Sequence, residues 1–340
     1  MTSAPLEQRI AADPTAFRVL TGDRPTGPLH LGHYLGTLRN RVRLQELGVP
    51  VTLVVADQQV ITDRDSVAEI PANVLELLAD HLATGIDPDR TTIFAHSAVP
   101  ALNQLVIPFL SLVTDAELRR NPTVKAELAA TGSRAMSGLL LTYPVHQAAD
   151  ILFSHANLVP VGRDQLPHLE MTRLVARRFN ERYGHGRRVF DEPEALLSDV
   201  PLLLGTDGAK MGKSRGNTIA LRDDADTTAA LLRGARTDSE RAVTFEPERR
   251  PEVANLLRIA ALCSDRTPDE VAAGVDGAQA LKQVVIDSVN THLAPLRARR
   301  EALAADPGYL LAVLRAGNGR ANEVAECTLD AVREVMGMRY

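Results

Sequence analysis

The stretch FRVLTGDRPTGPLHLGHYLG, residues 17–36, decides the fold of this chain. Residues 17–20 form a short apolar strand that breaks at Gly22 into a turn-rich loop, Asp23-Arg24-Pro25-Thr26-Gly27-Pro28. A helix opens through Leu29-His30-Leu31-Gly32-His33. A strand running into a glycine loop and then a helix suits phosphate, because the first helical amides lack backbone partners. His30 and His33, three apart, share one face of the first turn. Gly32 removes the side chain that would keep a flat ring off the backbone, and Gly36 repeats that vacancy one turn later. Each glycine inside a helix costs about 1 kcal/mol relative to alanine, so two in one short stretch point beyond folding. Alone, H-x-G-H also fits a surface helix start with incidental histidines. The second motif that shifts the balance is Lys210-Met211-Gly212-Lys213-Ser214.

Outward from there the pattern is α/β. Residues 51–56 are apolar without alternation, as in a central parallel strand, and Asp57-Gln58-Gln59 follow at its carboxyl end, where open α/β sheets place ligands. Ser66 and Glu69 make a capping box for the next helix, with Pro71 as a kink. Residues 91–95 are a third strand and 100–131 are mostly helical, including the basic run that ends at Lys125. In the helix 137–153, Tyr143, Gln147 and Asp150 fall on one face among apolar neighbours. A carboxylate there is costly unless something donates to it, although Asp150 could simply cap an element. Residues 157–161 are another parallel strand, followed by Gly162-Arg163-Asp164-Gln165 and an arginine-rich helix, 166–183. Arg173, Arg177, Arg178 and Arg182 are either solvated or an RNA-facing patch. Beyond 223 helical patterns take over, at 227–236, 253–263, 279–305 and 321–336, with Arg297, Arg299 and Arg300 as a second basic group.

Composition sets limits. The chain has 340 residues, 45% hydrophobic and 24% charged, with net charge −5. That excludes indiscriminate nucleic-acid coating, and DNA is not expected; a local basic face for one RNA remains compatible. Cys263 and Cys327 lack ligand spacing, so a reduced, cytoplasmic protein without structural zinc is expected. No segment has the length and apolarity of a secretory signal or a membrane span.

HLGH followed at a distance by KMGKS resembles the HIGH and KMSKS signatures of class I aminoacyl-tRNA synthetases, and the context is similar to the bacterial tryptophanyl-tRNA synthetases. The resemblance runs from about residue 17 to the C-terminus. It implies a Rossmann-like parallel-sheet domain at 1–205, a KMSKS-type loop at 206–222 and an all-helical anticodon-binding domain at 223–340. The implied reaction is ATP-dependent activation of L-tryptophan, with Mg²⁺, and transfer to tRNA(Trp) by a homodimer. The basic helices beyond the loop, with Arg297, Arg299 and Arg300, are expected to reach that RNA. His30, His33, Lys210 and Lys213 would be catalytic. ATP would meet Arg24, Pro25, Thr26, Gly32, His33, Lys125, Gly162, Arg163, Asp164 and the loop from Lys210 through Met211, Gly212 and Lys213 to Ser214. Tryptophan would meet Gly22, Gln59, Tyr143, Gln147, Asp150, Val159, Val161 and Gln165, with Asp150 on the indole N–H and no protein-held metal. Glutamine at 147 and at 59, and glycine at 212, depart from the commonest bacterial pattern and resemble an auxiliary, second type. A tyrosyl-tRNA synthetase is the nearest rival, since Gln147 and Asp150 would suit a phenol; the bacterial members carry a further C-terminal RNA-binding domain, which disfavours it. Small adenylyltransferases share an H-x-G-H loop at about half this length. A synthetase-like binding protein without charging activity fits poorly with retention of both histidines and both loop lysines.

Overall fold

The computed structural model describes residues 4–62, 67–130, 135–162, 165–198, 200 and 202–340. Strands β1 (Val19–Asp23), β2 (Val51–Val55), β3 (Thr91–Ala95), β4 (Leu158–Val161) and β5 (Glu194–Leu197) form one parallel sheet in the order β3-β2-β1-β4-β5. Helices α1 (Ala4–Ala12), α2 (Leu31–His33), α3 (Arg39–Glu46), α4 (Ile70–Ala83), α5 (Pro100–Leu110), α6 (Asp115–Arg120), α7 (Pro122–Ala130), α8 (Gly138–Leu152) and α9 (Leu166–Tyr183) connect them. Five more follow: α10 (Ala225–Arg233), α11 (Pro251–Ser264), α12 (Pro268–Ala272), α13 (Gly277–Ala304) and α14 (Pro307–Val335).

The sheet is buried on both faces, and its pleat divides the core. Leu53, Val55, Ile93 and Ala95 pack with α4, α11 and α13, while Val54 and Phe94 face α5, α8 and α9. Parallel strands put their carboxyl ends along one edge, which gathers the Asp23, Gln59, His96 and Gly162 segments there.

Several boundaries differ from those expected. β1 continues through Gly22 to Asp23, because Gly22 pairs with Val54 of β2. A Cβ at Gly22 would lie 2.3 Å from the Val54 carbonyl oxygen, so this glycine has a packing cause within the sheet. Pro71 sits in the first turn of α4, where its missing N–H costs nothing, and makes no kink; Ser66 lies outside the described residues. β5, four residues at the sheet edge, is an additional strand that carries no apolar run long enough to announce itself.

The last helix is the largest difference. The helix expected at 321–336 begins much earlier: α14 runs from Pro307 to Val335, through Gly317 and Gly319. Gly317 lies where α14 crosses edge strand β3, and a Cβ there would fall 1.7 Å from the Ile93 carbonyl oxygen. Only glycine permits the crossing. Asn318 then accepts from the Ala95 N–H at 2.9 Å, and Arg320 donates to the Thr91 and Thr92 oxygens, so the helix satisfies an otherwise open sheet edge.

Candidate active site

At the end of β1 the chain turns at Gly27, φ 122°, and is fastened on both sides of His30. The Leu29 N–H donates to buried Asp80 at 2.9 Å, the Leu31 N–H to the Ile219 carbonyl, and the Leu221 N–H back to the Leu29 carbonyl. The segment after the lysine loop is thereby stitched to the histidine turn. His30 N–H donates to His33 Nδ1 at 3.2 Å, and the rings lie 3.7 Å apart. An accepting Nδ1 carries no hydrogen, so neutral His33 holds its proton on Nε2. Burial, aided by each other's charge and that of Lys213, pushes His30 down to about 3, and burial first pushes His33 down to about 4. Both are uncharged at neutral pH. His30 Nδ1 is buried with no hydrogen-bond partner among the described residues.

A Cβ at Gly32 would press on the His30 ring at 3.1 Å and on Met211 Sδ at 3.3 Å, so this glycine has a packing cause within the fold. At Gly36 a Cβ would meet nothing within 4 Å. Gly36 sits in a π-helical turn, Tyr34–Leu38, that continues α2, and its carbonyl accepts from Ser198 Oγ.

The lysine loop is organised by Asn217, a buried residue absent from the expected set. Its Oδ1 accepts from the Gly212 N–H at 2.9 Å, and its Nδ2 donates to Asp207 and to the Lys210 carbonyl. Donation from Asn217 holds the Asp207 carboxyl below its ordinary range. Gly205 allows the close approach, because a Cβ would lie 2.4 Å from the Asn217 amide. Lys213 Nζ donates to the Gly27 carbonyl at 2.7 Å, which brings both motifs together. Met211 is buried against Gly32, Lys210 pairs across a bridge with Leu204, and Ser214 continues the short turn Lys213–Arg215.

The other end of the site is built on α8. Ser137 caps it, accepting from the Leu140 N–H. Asp150, 6% exposed, has its Oδ1 3.2 Å from His96 Nδ1 and its Oδ2 3.4 Å from Gln59 Nε2, while Gln59 Nε2 lies 2.5 Å from His96 Nδ1. The contact with His96 has ion-pair distance without hydrogen-bond alignment, so Asp150 Oδ1 keeps no hydrogen-bond partner among the described residues. Burial pushes the Asp150 carboxyl up to about 6, against the pull of His96. Val159 and Val161 are buried beside α8 in one apolar cluster. Tyr143 Oη meets His168 Nε2 at 2.5 Å, and Gln147 is half-buried. Gln59, Tyr143, Leu139 and Ile61 line a cavity of about 250 Å³. Gln165 caps α9 and donates its N–H to the Gly162 carbonyl.

His96 was findable. It follows β3 directly, at the same carboxyl edge that singles out Gln59 after β2. Asp57 fixes it there by accepting from the Ser97 N–H and hydroxyl. Arg41 and His81 were also absent from the expected set; burial would raise the Asp23 carboxyl, but the charge of Arg41 and the contact with His81 hold it well below the ordinary range. Of the remaining expected residues, Pro25 is buried, Thr26 bonds back to the Arg24 carbonyl, Arg24 is exposed, and Lys125 is exposed on α7, which packs on α8 and α9. Arg163 and Asp164 lie outside the described residues.

A family model described as tRNA synthetases class I (W and Y) matches residues 13–294. The chain belongs to this family. A tryptophan–tRNA ligase of Treponema pallidum (strain Nichols) is 44% identical over 333 residues, 95% of this chain and 97% of that one. Another from Clostridium longisporum is 40% identical over 333 residues, 95% and 97% of the two chains. The crystal structure of tryptophanyl-tRNA synthetase from Campylobacter jejuni complexed with ADP and tryptophan superposes with TM-score 0.82 at 29% identity, covering 94% of this chain and 99% of that one.

Arg297, Arg299 and Arg300 each have a partner within the fold. Arg297 donates to Asn290 and Thr228, and Arg299 to the Ala83 carbonyl. Arg300 is buried between Asp80 at 2.6 Å and Glu76 at 2.5 Å. Long stems let all three reach back to the fold. The α9 arginines are largely matched too, Arg177 by Glu192 and Arg178 by Glu117.

Proposed function

We infer that this chain is a tryptophan–tRNA ligase, activating L-tryptophan with ATP and passing it to tRNA(Trp). Its likeness to tryptophan–tRNA ligases across nearly their whole length carries the reading. In the first step a tryptophan carboxylate oxygen forms a bond to the α-phosphorus of ATP and the bond to pyrophosphate breaks. The attacking carboxylate is already ionised, so alignment and relief of phosphate charge are what the protein must supply. Lys210 and Lys213 supply positive charge from a loop already seated on the glycine turn. His30 and His33 act as neutral hydrogen-bonding groups at the helix start, and Met211 faces adenine. Asp150 accepts the indole N–H, between Gln59 and the Val159–Val161 wall. A buried acceptor left unpaired by the wrong side chain rejects that side chain strongly.

Mg²⁺ enters with ATP, as part of the substrate, held by phosphate and water. No helix among the described residues is long and apolar enough to cross a membrane. A homodimer, with the tRNA spanning both subunits, completes the reading. Amino-acid-dependent ATP–pyrophosphate exchange tests the assignment: tryptophan should support it, and better exchange with tyrosine would overturn it.

A further inference from the structure

We propose that His96 is a positioning residue for substrate selection: with Gln59 it locks the Asp150 carboxylate so that one oxygen is held ready for a single N–H. The inference rests on the reading that Asp150 meets the indole.

The geometry carries it. Three elements place one polar atom each at a shared point: Nε2 of Gln59 after β2, Nδ1 of His96 after β3, and the carboxylate of Asp150 on α8. His96 is 1% exposed and Asp150 6%, so water does not compete for the carboxylate. An aspartate side chain has a broad torsion about its last bond, so the plane of an unrestrained carboxylate can take many orientations. Here one oxygen lies against the imidazole and the other against the amide. A half turn only interchanges two equivalent oxygens, but any smaller rotation of the plane would lose both contacts. Gln59 Oε1, His96 Nε2 and Asp150 Oδ1 are also buried without hydrogen-bond partners among the described residues. Buried polar groups are ordinarily satisfied, so three exceptions around one carboxylate mark a place where a ligand completes the network. Deleting His96 would free the carboxylate to rotate and open room for a water, which would occupy the acceptor before the ligand arrives.

A merely structural histidine and a positioning one differ in what they do to ligand choice. The test uses calorimetric titration of the full chain with L-tryptophan and with 3-(benzothiophen-3-yl)-L-alanine, whose sulfur replaces the indole N–H at nearly the same shape. His96→Ala should weaken tryptophan about tenfold, the scale of one net hydrogen bond, and leave the benzothiophene ligand within about twofold. His96→Asn, whose side-chain amide can place a nitrogen where Nδ1 sits, should restore most of the discrimination. Unchanged binding of the benzothiophene ligand also shows that the variant pocket is folded. Equal weakening of both ligands, or no change in either, overturns the positioning role. If the wild-type protein itself shows no preference for tryptophan over the benzothiophene, the Asp150–indole reading falls first, and the inference with it.

Discussion

His30 and His33 meet within a single turn of chain, whereas Asp150 meets Gln59 and His96 across three elements separated by up to 91 residues in sequence. Burial also acts on the two groups in opposite directions. It lowers the histidines to about 3 and 4, so both are neutral near pH 7 and the turn offers uncharged donors and acceptors. It raises Asp150 to about 6, so near pH 7 a charge is kept where it is costly to keep. One end of the site is relaxed without its ligand, and the other is under electrostatic load. On the proposed reading, the histidine turn can rely on backbone and incoming cations to bind phosphate, while Asp150, as a selective acceptor, has to be left partly unsatisfied.

The largest effect that would sharpen this contrast concerns what holds the relaxed end. Arg300 on α13 pairs with Asp80, which in turn accepts the Leu29 N–H next to His30. Arg300→Leu leaves a fully buried carboxylate without its cation, and breaking such pairs costs about 3–5 kcal/mol. Denaturant unfolding should register that loss, and the surviving folded protein should bind ATP more weakly while tryptophan affinity stays close to wild type. Equal losses for both ligands would break the separation of the two ends.

Next is Lys213→Ala. The ammonium now on the Gly27 carbonyl is available to a departing pyrophosphate, so the variant should lose activation by about 10²–10³-fold in kcat, with little change in tryptophan affinity. A loss confined to KM for tryptophan would place this lysine in the wrong half of the site.

Asp150→Asn tests the load directly. The Asp150 pKa is higher in the folded chain than its ordinary 3.8, so the native state binds more protons between about pH 4 and 6. Its contribution to stability therefore falls as pH rises through that window and stays unfavourable above it, by up to about 3 kcal/mol. The amide should stabilise the ligand-free protein at pH 7.5 and do little at pH 4, while weakening the preference for tryptophan. The histidines predict the opposite slope: their folded pKa values lie below 6.5, so stability is lost as pH falls from about 6.5 toward 3. Thermal or denaturant unfolding across pH 4–8, in the wild type and in Asp150→Asn, separates the two slopes.

The same contrast explains what could be read from sequence. HLGH and KMGKS are local, because each chemical group has its neighbours within a few residues, and α8 announced itself through one polar face in an apolar helix. Asn217 had no such local signature, and His96 only its place directly after β3. Each is a single polar residue beside a strand or in a loop, and its importance lies in partners brought near only by folding: Asp150 for one, Gly205 and Gly212 for the other. The internal partners of the basic residues were hidden for a related reason. A run such as Arg299-Arg300 reads as surface charge, and nothing local says that Asp80 and Ala83 lie within reach. Gly317 is the mirror case, a helix breaker by propensity that is required where a helix crosses a strand.

The smallest expected effect is the most local one. Gly212 has extended backbone, φ −160°, which any residue adopts, and a Cβ would find its nearest neighbour, the Lys210 carbonyl oxygen, at 3.9 Å. A side chain therefore fits without strain, and the Gly212 N–H keeps its bond to Asn217 whatever the side chain. Gly212→Ala would reduce the freedom of the unfolded chain and stiffen the loop, worth about 0.4–1 kcal/mol of stability. Gly212→Ser does the same and adds one hydroxyl at the edge of the phosphate end. The ratio of activation rates between serine and alanine variants isolates that hydroxyl from the backbone effect. A rise of about two- to fivefold, less than one net hydrogen bond, is expected for serine over alanine. A ratio of one would mean that the relaxed end already has all the donors it uses, and that glycine at this position costs the enzyme nothing.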